Sequence, residues 1–110
     1  MKYFVFDYQR EGSCYHEFYK GKWDQKTYWK ADSIFLDDDF LFKGFIDAIV
    51  EVVPSYSPYE ETEVSIAQWN EIGKIISTKD IESQVVYHEA NAWLTRQVFT
   101  RYNCFTILGI

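Results

Sequence analysis

Residues 37–53 run Asp-Asp-Asp-Phe-Leu-Phe-Lys-Gly-Phe-Ile-Asp-Ala-Ile-Val-Glu-Val-Val, and the hydrophobic period of the chain changes here. Phe40, Leu41, Phe42, Phe45, Ile46, Ile49, Val50 and Val53 recur at helical spacing until Pro54 ends the run. Upstream the pattern suits strands. Lys2 to Tyr8 is rich in aromatic and β-branched residues and predicts a first strand. Arg10-Glu11-Gly12-Ser13 has turn chemistry. Cys14 to Lys20 then sets Tyr15, Glu17 and Tyr19 against His16 and Phe18, which predicts a second strand in a hairpin with the first. Gly21-Lys22 makes the next turn. Trp23 to Trp29 suits a third strand that Asp24-Gln25-Lys26 bulges or loops, and Ser33 to Leu36 a short fourth.

Downstream the pattern is mostly helical. Ser55 to Glu63 is polar, holds Pro58 and predicts a loop. Ser65 with Gln68 forms a capping-box pattern before the stripe Ile66, Trp69, Ile72 and Ile76, which Gly73 weakens slightly. Ser77 or Thr78 is placed to cap a further helix. Ile81, Val85, His88 and Ala92, with Val86, Ala90, Trp93 and Leu94, give that helix a broad apolar face to about Gln97, with His88 on the apolar side. Cys104 to Ile110 is uncharged and mostly apolar, which predicts a buried strand. The expected fold class is α+β: an N-terminal antiparallel β-sheet packed on a helical layer, with the C-terminal strand returning to the sheet. At 110 residues, 1–110 form a single domain with one modest core.

The acids are unevenly spread. The net charge is −6, and residues 37–63 hold eight acids (Asp37, Asp38, Asp39, Asp47, Glu51, Glu60, Glu61, Glu63) against one base, Lys43. Residues 64–110 balance, and residues 1–36 carry one excess base. Such a face repels nucleic acid and anionic lipid and attracts a basic partner. Helix capping explains one carboxylate before residues 40–53; three in a row exceed that need. Aromatics make up 20% of the chain, and most belong in a core. Tyr56 and Tyr59, in a polar proline-bearing segment, suit interface anchors instead.

Chemistry-bearing motifs are sparse. Cys14, His16, His88 and Cys104 do not fall at zinc-ligand spacing, so neither a metal nor a cofactor is expected. The aspartate triplet lacks the spacing of a calcium loop, and the chain has no Gly-rich phosphate loop and no Gly-x-Ser-x-Gly elbow. Catalysis is therefore not expected. Lys20, Lys22, Lys26 and Lys30 interleave with Trp23, Tyr28 and Trp29 like a nucleic-acid strip, but a solvated hairpin edge suits a chain of pI about 4.8 better, and no direct nucleic-acid binding is expected. No apolar run suits a signal peptide or a membrane span, and two cysteines are too few for a disulfide framework, so a cytoplasmic protein is the expectation.

A small acidic aromatic-rich domain without a catalytic set suits a dedicated inhibitor of a basic protein. In whole-chain character it resembles the immunity proteins of bacterial polymorphic toxin systems, especially contact-dependent growth inhibition. The resemblance rests on the opening Met-Lys-Tyr-Phe-Val-Phe-Asp-Tyr strand, the Asp-Asp-Asp block and the Tyr-Ser-Pro-Tyr-Glu-Glu loop. It implies a cytoplasmic monomer that binds a cognate toxin C-terminal domain one to one and neutralises it, the toxin most often being a tRNase or DNase. The expected toxin-binding residues are Asp37, Asp38, Asp39, Tyr56, Tyr59, Glu60, Glu61 and Glu63. The alternative is a small ligand-binding or enzymatic α+β domain with a pocket near Cys14, His16 and His88.

Overall fold

The computed structural model describes residues 1–110 and shows an α+β fold. Five strands form one antiparallel sheet: β1 (Phe4–Val5), β2 (Tyr15–Lys20), β3 (Ile34–Asp37), β4 (Glu61–Ser65) and β5 (Cys104–Leu108), in the spatial order β1-β3-β2-β5-β4. Three helices, α1 (Lys43–Val52), α2 (Ile66–Ile76) and α3 (Ile81–Trp93), cover one face. Strand alternation sorts the side chains. Phe4, Phe18, Ile34, Leu36, Val64, Phe105 and Ile107 point into the helical core. Trp69 stacks on Tyr87 with centroids 4.4 Å apart and meets Phe105 edge-on at 5.3 Å. Its indole N–H donates to Asn91 Oδ1 at 3.0 Å, so the core's largest ring is buried with its polar group paired. β5 lies between β2 and β4 and all five of its residues are buried, as its uncharged sequence requires.

Several expectations are corrected. β1 does not form a hairpin with β2; it pairs with β3. It lasts two residues because a 3-10 turn follows at Asp7–Gln9, where Gln9 Oε1 accepts from Phe6 N and Arg10 pairs with Asp7. Residues 23–29 are not a strand. Asp24 accepts from the N–H groups of Lys26 and Thr27 and from the Thr27 hydroxyl, and Gln25 and Trp29 have φ of 66° and 59°, which no extended strand permits. The lysines of this segment are therefore not edge-strand guards. Residues 61–63 belong to β4 rather than to a loop, with Thr62 and Val64 buried and Glu61 and Glu63 exposed. Asp37–Asp39 do not cap α1, whose N-cap is Phe42 with no side-chain bond. Asp37 instead caps the 3-10 turn Asp38–Phe40, accepting from Asp39 N at 2.9 Å. α3 is capped by Asp80, not by Ser77 or Thr78. The Ser65–Gln68 capping box forms as its spacing requires.

The segment between β2 and β3 closes the other face of the sheet. Glu17 is 2% exposed there, and its carboxylate accepts from Trp29 N at 2.7 Å, Lys30 N at 3.1 Å and Ser33 Oγ at 2.7 Å. The Trp29 ring stacks on Phe35 at 5.7 Å, with the Arg10 guanidinium 3.9 Å from its centroid. One buried carboxylate thus fixes a long loop over the apolar back of β2, β3 and β5.

Candidate functional site

Strand register decides where the acidic residues meet. Asp37 on β3 lies opposite Tyr15 on β2, while Glu17 pairs with Leu108 on β5, and Leu108 with Glu61 on β4. The end of β3 and the start of β4 therefore share one end of the sheet, three strand spacings or about 14 Å apart. Gly109 N donates to Glu60 O, and Ile110 N to Pro58 O, which holds the residues before β4 against the end of β5. A side chain at Gly109 would run into the Pro58 carbonyl, so this close approach needs glycine.

Around that end the side chains form two wings. On one, Tyr59 is 73% and Tyr28 54% exposed, and both border a shallow cleft shared with Trp23, Glu60 and Glu61. Trp23 and Tyr28 pack at 5.2 Å. Glu61 and Glu63 flank the other side of Trp23, beside Lys22. On the second wing, Asp39 is exposed and Asp37 is half-buried. Asp38 is exposed, and its Oδ1 lies 2.8 Å from Nε2 of the fully buried His16. Asp38 thus presents a carboxylate to solvent while a core imidazole fixes its orientation.

Tyr56 is corrected. It is buried, not an exposed anchor, and its hydroxyl has no hydrogen-bond partner within the chain. Burial, aided by the Asp38 carboxylate, pushes that phenol well above its ordinary value. Trp23 and Tyr28 lie outside the expected toxin-binding set but join Tyr59, Glu60 and Glu61 in this cleft, because the 24–27 turn and not a strand carries them there.

Cys14, His16 and His88 do not converge. His16 is the core histidine, whereas His88 is exposed on α3 and borders a groove that neither Cys14 nor His16 lines. Cys14 and Cys104 are both free thiols, the first exposed and the second buried. Strand register sets them at opposite ends of β2 and β5. No three His, Cys, Asp or Glu side chains group in a way that would hold a metal ion, and no helix is long and apolar enough to cross a membrane. Comparison with protein-family models, curated proteins and solved structures gave no match.

Proposed function

We propose that the chain is an immunity protein that binds and neutralises a basic bacterial toxin domain, such as a tRNase or DNase, through the acidic end of its sheet. One observation carries the reading: exposed Tyr59 and Tyr28 share a cleft with Glu60 and Glu61, at the same sheet end as Asp37, Asp38 and Asp39. Aromatics supply rigid apolar contact at low entropic cost, and surrounding carboxylates steer a basic partner and select its charge. A nuclease cleft is basic because it grips phosphates, so it complements such a surface. In this proposal the protein acts without catalysis, metal or cofactor, as a cytoplasmic monomer in a one-to-one complex.

Affinity capture of the tagged protein from its native lysate tests this, with washes at low and then high salt and mass spectrometry of the retained material. A single basic partner at near-stoichiometric yield, whose toxic activity the protein suppresses, supports the proposal. Absence of a specific partner, with folded bait and an expressed native neighbourhood, overturns it. Two variants then locate the surface. Reversing the charges of Glu60 and Glu61 should slow association and flatten its salt dependence. Tyr59→Ala should speed dissociation, at a cost of about 1–3 kcal/mol.

A further inference from the structure

A second site lies on the helical side, away from the acidic end. Val85, His88, Ala92 and Trp93 of α3 face Met1 and Phe6 across a groove of about 600 Å³, within the usual range for small-molecule sites. Phe6, Trp93 and Gln97 also border a hollow of about 280 Å³, and Arg96 and Gln97 a polar one of about 360 Å³. The far hollow is bordered by Lys20, Arg96, Arg101, Thr100 and Tyr102. These adjoining hollows, sharing their walls, make up a trough that is apolar at one end and basic at the other.

The basic end is unusual in so acidic a chain. Arg96 and Arg101 are exposed and form no ion pair within the chain, although acids outnumber bases by six. The two acids along the trough are already engaged. Glu89 accepts from the N–H groups of Lys2, Tyr3 and Phe4 at 2.8–3.1 Å, and Asp32 lies 3.9 Å from Lys20 and 3.8 Å from Lys30. Backbone geometry is a further pointer. Leu94–Val98 is a π-helical turn, closed by Phe99 N donating to Leu94 O at 2.8 Å, and it carries Arg96 and Gln97 to the junction of the two ends. Such turns are rare and recur at functional sites.

We infer that this trough binds a small amphipathic anion, a single-chain carboxylate whose apolar tail lies along Phe6, Ala92 and Trp93 and whose head is received by Arg96 and Arg101. Arginine suits the head because its fork matches a carboxylate bidentately, and the adjoining apolar wall lowers the local dielectric. The inference stands independently of any toxin partner, because none of its residues lies on the acidic end of the sheet.

Octanoate and octanol are the probes, titrated separately into the isotope-labelled protein while backbone amide shifts are followed. Octanoate should move the amides of 88–98, with octanol binding at least about tenfold more weakly, the worth of one charge-assisted hydrogen bond. Arg96→Gln combined with Arg101→Gln should weaken octanoate by about tenfold or more and leave octanol unchanged; both residues are exposed, so folding should survive. Ala92→Phe, which fills the apolar end, should abolish both. Equal affinity for the two probes, an octanoate affinity indifferent to the arginine pair, or shifts confined to residues outside the trough would each overturn the inference.

Discussion

Replacing Glu17 is the most informative single perturbation, because one buried carboxylate organises the segment that carries Trp23, Tyr28 and Trp29. Its three donors are Trp29 N, Lys30 N and Ser33 Oγ, at 2.7, 3.1 and 2.7 Å. A hydrogen bond to a charged acceptor contributes about 1.5–3 kcal/mol, giving a gross value of about 4.5–9 kcal/mol for three. Two effects reduce it. Removing the carboxylate also removes its desolvation penalty. The loop, lying at the surface, can swing out and hydrate its freed donors, so the loss is capped by the energy of docking the loop. We expect Glu17→Ala to cost about 3–4 kcal/mol. Glu17→Gln keeps the volume but turns an amide N–H₂ toward donors, and should cost about 2 kcal/mol. Either loss is a large share of a small domain's stability. Trp29 sits at φ 59°, a conformation costing about 1–2 kcal/mol that needs external contacts to hold it. Urea denaturation gives the stability changes, and amide hydrogen exchange at Trp29 and Lys30 shows whether the loop opens locally. If Glu17→Gln lies within about 0.5 kcal/mol of the parent and Trp29 protection is unchanged, the carboxylate does not hold the loop. If the loop opens but partner affinity is preserved, Trp23 and Tyr28 lie outside the interface.

Other outcomes follow from particular contacts. Gly73→Ala should lose about 1–3 kcal/mol by thermal melting, although helix propensity alone favours Ala by about 1 kcal/mol, because the new methyl would meet the Tyr87 hydroxyl and ring. Adding Tyr87→Phe should recover part of that loss; a stable Gly73→Ala single variant would show that α2 and α3 have room to separate. Tyr56→Phe should leave stability within about 0.5 kcal/mol or raise it, since the hydroxyl has no partner to lose, and calorimetry would detect a contrary drop. A thiol reagent should label Cys14 rapidly and Cys104 slowly under native conditions. Cys104 is buried, and burial together with the Glu63 carboxylate pushes its thiol up; two equal fast phases would contradict this. The Asp24 carboxyl, held at about 2 by the Thr27 hydroxyl and by the N–H groups of Thr27 and Lys26, should titrate near that value when followed by carboxyl carbon shifts. Because this value is depressed, the turn over 24–27 is fully supported above the ordinary carboxylate range and loosens progressively as pH falls from there through about 2; a midpoint near 4 would mean the turn does not persist in solution.

Much of the fold is legible in local pattern. Alternation in 15–20, the helical stripes after residues 43, 66 and 81, the Ser65–Gln68 box and the uncharged run at 104–108 each specify their element through short-range physics: period, capping and burial. Together they require a sheet, a helical layer and a buried returning strand. The concentration of acids between 37 and 63 is likewise a property of the chain alone.

Tertiary structure decided what those elements meet. A strand's partners are not encoded in its own alternation, so the place of β3 between β1 and β2 follows from burying Leu36 and Phe4 on the same side, not from proximity in sequence. β4 exists because β5 offers a free edge; the Thr62 and Val64 alternation was visible but lay beneath a loop-like composition. The same register brought residues 37–39 and 59–61 to one end of the sheet. Packing into the core buried Tyr56 and left Tyr59 exposed, a distinction that two tyrosines three residues apart in one polar segment do not carry. His88, expected on the apolar side of its helix, is exposed beside a groove, and the buried imidazole is His16, beside Asp38. Sequence fixes which groups are available and their local geometry. Which of them lose water, and which share a surface, depends on long-range pairing that only the folded chain supplies.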